Sequence, residues 1–429
     1  MDNNTIYVSL DIGTAEVRVM IGEMSAGMLN IIGVGNAAST GIKKGAVVDI
    51  DATVNAIREA VDKAERMVGM SIKQVVVGIN GNHVDLHQTH GIVAVSSANK
   101  EITAEDIDRV TDAASVVSIP HDREIVDIVP LQYIVDGYDG ITDPTGMIGV
   151  RLEMEGLMVT GSKTVLHNLL RCVEKANLEI TDIFLQPLAA GEIAVSSDER
   201  MLGVALVDIG GGQTTISYFK NGGLHSTYVM PIGGTHVTND LSVGLRTTMT
   251  QAEQVKIEHG HAFIDDSSDE VTTTITPMGQ GNGEEYSQRD FAHIIEPRME
   301  EIFELVNETL DAEGDIPGGV VLTGGGVMLP GTLELARDVL GRNVRMAIPD
   351  YIGVREPRYT NAVGLIEFAH KHVRMHNKEM VAATSESAQP TKVEQNRKSR
   401  HSTNEQEESN EDSPGVKKRV RNFFKVFFE

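Results

Sequence analysis

Three glycine-rich turns follow apolar runs in this sequence: DIGT at residues 11–14, DIGGGQTT at 208–215 and GGG at 324–326. Such turns suit a polyphosphate, because glycine has no Cβ and tolerates positive φ, so backbone N–H groups can approach an anion closely. Asp11 and Asp208 open the first two. Facing each other across a cleft, two carboxylates would hold Mg2+ through its waters, since that ion prefers oxygen ligands and dehydrates reluctantly. Thr14, Thr214 and Thr215 add hydroxyl donors. One turn of this kind is most often a tight hairpin and nothing more. A duplicated pair followed by a third glycine run is far more specific.

Other motifs read as ordinary structure. No G-x-x-x-x-G-K-[ST] occurs, which excludes a P-loop nucleotidase. His83, His87 and His90 fall in a strand and loop pattern at spacings that do not converge on a metal, so they read as solvated. Pro120-His121-Asp122-Arg123 differs in order and context from a kinase catalytic loop. The Asn307-Glu308-Thr309 sequon has no meaning in the cytosol, and the methionines read as core filling.

The elements that must carry the three turns repeat. Residues 6–22 form a predicted β-hairpin with DIGT as its turn, and residues 204–219 form a second with DIGGGQTT as its turn. YVSLDIGTAEVRVMIG and GVALVDIGGGQTTISYF each set a buried strand, an aspartate, a glycine turn and a return strand in the same order. Position 208 lies 197 residues after position 11, a spacing that suits two duplicated halves and is far too long for a solenoid. Helical spacing predicts helices over 51–68, 104–115 with Thr103 as N-cap, 164–176, 187–194, 290–310 and 360–371. Residues 75–79 and 320–323 read as buried strands, whereas 83–163 has the texture of short strands with polar spacers and reads as an inserted subdomain.

These signals divide the chain into 1–82 and 164–200 as a first lobe interrupted by the insertion 83–163, then 201–234, 235–310 and 311–376 as a second lobe. Residues 377–413, rich in Ser, Glu, Gln, Asn and Lys without apolar periodicity, read as a disordered tether to 414–429. The net charge of −25 hides a contrast: residues 415–429 sum to +4, which leaves −29 for everything before them. A body that acidic argues against a nucleic-acid partner. A single cysteine suits a reducing compartment, the first residues lack a signal-peptide pattern, and no apolar run approaches the roughly 20 residues needed to span a bilayer. In GVKKRVRNFFKVFFE, Val416, Val420, Phe423, Phe424 and Phe427 share one helical face, with Lys417, Lys418, Arg421 and Lys425 on or beside the other. With Phe428 these residues form an expected interfacial membrane anchor; a helix docking in a partner's groove is the rival reading.

DIGT (11–14), QPLAAGE (186–192), DIGGGQTT (208–215), VVLTGGGVMLPG (320–331) and YTNAVG (359–364) resemble five landmarks of the actin/chaperone/sugar-kinase superfamily: first phosphate loop, first connecting helix, second phosphate loop, adenosine loop and second connecting helix. The resemblance covers about residues 5–375. Within the superfamily it points to the FtsA family of bacterial cell-division proteins, through the insertion, the segment NDLSVGLRTTMTQAEQVKIEHG (239–260) and the tether ending in a basic amphipathic helix.

That resemblance implies an α/β, actin-like, two-lobed fold with a duplicated core, an inserted small α+β subdomain, a disordered tether and a terminal amphipathic helix. It implies ATP with Mg2+ held by Asp11 and Asp208, and phosphates cradled by the backbones of Gly13, Thr14, Gly210, Gly211, Gly212 and Gln213, with Thr214 beside them. Arg18 stands where actin relatives place a phosphate-facing lysine, and Gln186 matches the residue that orients attacking water, with Asp11 and Asp208 completing the catalytic set. Glu253 and Lys256 would flank ribose and adenine, under Gly324, Gly325, Gly326 and Met328. Turnover is expected to be slow, since no strong general base is evident. The resemblance further implies binding of the FtsZ C-terminal peptide by about 230–305, with Arg298 as anchor and Arg289 as support, filament formation in which 83–163 supplies one contact, and a place at the cytoplasmic face of the membrane at the division septum. Two relatives compete: an actin-like type IV pilus assembly protein, which should lack the tether and Phe-rich helix, and a small-molecule kinase, for whose acidic base and sugar pocket the sequence offers no candidate. A membrane scaffold that binds nucleotide without turnover is a third reading.

Overall fold

The computed structural model describes residues 5–279 and 282–375. All of them lie in the first of two units of the chain, Met1–Ala383. The expected tether 377–413 and amphipathic anchor 414–429 lie outside the described residues.

The first half begins with β1 (Thr5–Ile12), β2 (Glu16–Ser25) and β3 (Met28–Ala38), an antiparallel meander. Valine, isoleucine and leucine crowd β1 because it is central and covered on both faces: Leu10 and Ile12 are buried, and so is Ser9, whose hydroxyl donates to the Ala362 carbonyl at 2.8 Å. The chain then forms α1 (Ile50–Val68), capped by the Asp49 side chain and stopped by Gly69 in the left-handed region. It returns as β4 (Gln74–Ile79), parallel to β1.

The insertion follows as β5 (Val84–Ala94), α2 (Ala104–Ala114), β6 (Arg123–Val135), β7 (Tyr138–Ile141) and β8 (Arg151–Ser162). Its strands run to 11, 13 and 12 residues in β5, β6 and β8, longer than the polar spacers suggest, because one face is covered by α2 and alternation is enough. Thr103 and Asp106 cap α2 reciprocally. The sheet order is β5-β8-β6-β7.

After α3 (Lys163–Lys175), β9 (Glu179–Leu185) completes the first sheet, in the order β9-β4-β1-β2-β3. Helix α4 (Gln186–Ala194) leads to the second half: β10 (Val204–Ile209), β11 (Thr214–Lys220), β12 (Gly223–Met230), α5 (Gly234–Gly244), α6 (Met249–His259), α7 (Gln288–Glu313), β13 (Val320–Thr323), α8 (Thr332–Leu340), β14 (Val344–Met346) and α9 (Thr360–Met375). The second sheet runs β12-β11-β10-β13-β14, so its three antiparallel and two parallel members repeat the first sheet strand for strand. The third strand of each meander and the pair α8 and β14 go beyond what apolar spacing alone predicts.

Helix α7 outruns its predicted limits at both ends. Ser287 and Asp290 box its start, and Phe291, Ile295, Met299, Ile302, Phe303, Val306 and Leu310 form a wholly buried stripe that carries it past Pro297. A second apolar cluster joins three parts of the chain: Leu157 and Val159 of the insertion, Ile79, Leu185 and Leu188 of the first half, and Val204, Phe219 and Leu224 of the second. Between the halves α4 packs on α9. A Cβ on Gly364 would lie 2.3 Å from the Ala189 carbonyl, so the helices approach this closely only because the position is glycine.

Candidate functional site

Strand register sets the site. Asp11 stands at the end of β1 opposite Arg18 on β2, and Asp208 stands at the end of β10 opposite Thr215 on β11. The turns beyond them meet: a Cβ on Gly211 would come within 2.5 Å of Ala15, and one on Gly212 within 2.5 Å of the Thr14 side chain. Both aspartates therefore face one cleft of about 540 Å3, also lined by Gln186, Glu253, Lys256 and Asn361.

The electrostatics are those of one buried and one half-buried carboxylate sharing a cleft. Burial pushes the Asp11 carboxyl up to about 6, and the nearby Asp208 charge adds to the rise while Arg18 opposes it. Burial also raises Asp208, against the pull of a hydrogen bond from Asn361 and the Arg18 charge. Gln186 Nε2 donates to Asp11 Oδ1 at 2.5 Å, and Asn361 Nδ2 donates to Asp208 Oδ2 at 2.8 Å. Arg18 reaches Asp11 Oδ2 at 3.5 Å and Glu16 Oε2 at 2.6 Å, so its guanidinium lies in the cleft wall.

On the far wall, Lys256 Nζ donates to the Gly234 carbonyl at 3.1 Å, Thr238 Oγ1 at 2.8 Å and Glu253 Oε2 at 2.7 Å. Gly324, Gly325, Gly326 and Met328 line the cleft beyond β13, with Gly13, Thr14, Gly210, Gly211 and Gln213 on the side of the two turns. Two expected cleft residues do not line it. Thr214 is wholly buried, and its hydroxyl donates to the Ile232 carbonyl at 2.8 Å, because its side chain faces away from Thr215 in the pleat. Gly212 instead lets the two turns pack together.

Asn361, Thr323, Thr235, Arg358 and Asn80 line the cleft without having been singled out by sequence reasoning. Asn361 lies inside the YTNAVG run, which resembles the second connecting helix. Among the described residues no group of three or more His, Cys, Asp or Glu is arranged to hold a metal ion. His90 instead pairs with Glu153 at 3.1 Å, and His83 occupies a left-handed turn.

The residues expected to meet a partner are away from the cleft. Arg298 on α7 grips Asp240 of α5 through Nε at 2.6 Å and Nη2 at 3.2 Å and also pairs with Glu301. Arg289 donates to the Ser267 carbonyl at 3.0 Å and lies 3.5 Å from Asp269. Both cations thus have internal acceptors.

Residues 205–364 match the family described as cell division protein FtsA, and residues 81–160 match the SHS2 domain inserted in FtsA. Over 382 residues the chain is 56% identical to the cell division protein FtsA of Bacillus subtilis (strain 168), covering 89% of this chain and 87% of that one. The chain belongs to the FtsA family. The FtsA of Enterococcus hirae is 40% identical over the full length of both chains. Solved structures share the fold at low identity: the PilM-PilN type IV pilus biogenesis complex (16%, TM-score 0.58, 84% of this chain and 98% of that one) and ADP-bound MreB5 of Spiroplasma citri (14%, TM-score 0.54, 87% and 99%). The FtsA-family chain is therefore an actin-like cell-division protein with an SHS2 insertion. The pilus-protein likeness extends to fold alone. Among the described residues no helix is long and apolar enough to cross a membrane.

Proposed function

We propose that this FtsA-family protein binds Mg-ATP in the cleft between its halves, polymerises at the cytoplasmic face of the membrane at the division septum, and tethers FtsZ filaments there. The observation that carries the reading is the convergence of the two duplicated aspartates on one cleft walled by glycine turns. A buried and a half-buried carboxylate, both with raised proton affinity, suit a cation, which would offset the cost of keeping both charged. Asp11 and Asp208 would hold Mg2+ through water. The turns containing Gly13, Thr14, Gly210, Gly211 and Gln213 would take the phosphates, and Glu253, Lys256, Gly324, Gly325, Gly326 and Met328 the nucleoside. The bound ion would supply charge neutralisation at the phosphates. Gln186, already donating to Asp11, has a carbonyl oxygen left to orient a water, and slow turnover fits the absence of a stronger base in the proposed set.

Self-association would multiply the basic tails on one surface and raise membrane avidity without any new contact. An acidic peptide would reach Arg298 by displacing Asp240 and Glu301. The test is co-sedimentation with anionic vesicles with and without ATP, comparing the full chain with one ending at Ser413. Tail-dependent binding with ATP-dependent filaments is expected; equal pelleting of both chains would remove the tether reading. Replacing Phe423 and Phe427 by Glu should release the full chain.

A further inference from the structure

The duplication extends past the two aspartates to the amides behind them. Gln186 is the first residue of α4 and Asn361 the second of α9, and each donates to the aspartate of its own half. These are also the two helices that touch between the halves, through Gly364 and the Ala189 carbonyl. Asn361 takes Oδ2 of Asp208 and leaves Oδ1 turned toward Gly324, where a Cβ would come within 2.2 Å of that oxygen. Both amides also line a small pocket of about 10 Å3, close to the space of a single water, with Asp208, Thr215 and Ser217 on its polar side and Pro187, Ala190 and Leu206 on its apolar side.

We propose that Asn361 is a positioning residue, the counterpart in the second half of Gln186: it fixes which oxygen of Asp208 the cleft receives and ties that oxygen to α9. The proposal rests on the reading that the cleft binds a magnesium nucleotide. A carboxylate free to rotate about χ2 presents either oxygen and loses orientation on binding; one pinned by an amide does not. Partners of a carboxylate that ligates its metal directly typically carry about 10–100-fold in metal affinity; Asp208 would act through water, which places the effect at the low end of that range. Without Asn361 the nucleoside and phosphate contacts remain, and the affinity that depends on Asp208 is lost.

The test uses the full chain and a fluorescent ADP analogue, titrated first in EDTA and then with the Mg2+ concentration varied. Asn361→Ala should raise the Mg2+ half-saturation roughly tenfold while leaving affinity in EDTA unchanged. Asn361→Gln, which retains the amide, should recover part of that loss. Should the alanine variant fold poorly, Asn361→Leu, close to asparagine in volume and without a donor, gives the same comparison. A Mg2+ half-saturation within twofold of the parent chain overturns the proposal, as does an equal loss with and without Mg2+, which marks a purely structural role. Failure of the parent chain itself to bind the analogue removes the nucleotide reading, and this proposal with it.

Discussion

Exchanging Gly324 for alanine tests the architecture of the cleft at one atom. Gly324 has φ +95° and ψ 172°, a region essentially closed to residues with a Cβ, at a cost of about 1–3 kcal/mol. The added Cβ would also stand 2.2 Å from Asp208 Oδ1 and 2.5 Å from the Ile209 carbonyl oxygen, so the carboxylate must move. Overpacking of this order adds about 1–3 kcal/mol, giving a loss of roughly 2–6 kcal/mol in unfolding free energy. Gly325 is the control. Its nearest neighbour for a Cβ is Arg358 Cβ at 3.9 Å, an ordinary contact, and its φ lies outside the positive region, so Gly325→Ala should change stability by no more than about 1 kcal/mol. Urea unfolding of both variants, paired with titration of a fluorescent ADP analogue, reads the difference. Gly324→Ala should lose at least about tenfold in affinity and about 2 kcal/mol or more in stability, whereas Gly325→Ala should lose no more than about 1 kcal/mol in stability; an equal loss of stability in the two variants would refute the reasoning.

The remaining predictions concern charge and packing. Asp11 carries a carboxyl raised from 3.8 to about 6, so its folded form binds a proton that the unfolded chain has released. Stability of the ligand-free chain in EDTA should therefore be greatest below about 4 for this group and fall as pH rises to about 6, by roughly 3 kcal/mol at most, and Asp11→Asn should flatten that slope in urea midpoints. Asp240→Ala frees Arg298 from its bidentate partner, so affinity for an acidic FtsZ C-terminal peptide should rise in fluorescence anisotropy, whereas Arg298→Glu should abolish it without changing ADP binding. Phe303→Ala empties a wholly buried position on α7 and should cost about 3–5 kcal/mol in chemical unfolding.

What sequence could reveal followed from how local each signal is. The hairpins β1–β2 and β10–β11 and the stripe of α7 announce themselves because strand and helix periods are written in neighbouring residues. Strand β3 does not: Asn30, Gly33 and Gly35 interrupt its apolar pattern, and pairing along β2 supplies what its side chains lack. The aspartates and glycine turns were legible as a repeat. Asn361 was not, because its partner Asp208 lies 153 positions away, and the Asp240 that occupies Arg298 is 58 positions from it. Thr214 and Thr215 differ only in pleat direction, which fixes one hydroxyl in the core and the other at the cleft.

The apolar cluster shared by the insertion and both halves has a consequence for engineering. Leu157 and Val159 do not finish a private core; they complete a seam with Leu188 and Phe219. Excising residues 83–163 and closing the gap with a short linker would leave that seam wet, and transplanting the insertion alone would expose its matching face. Grafts between relatives should therefore carry the insertion together with the residues of α4 and β11 that it covers.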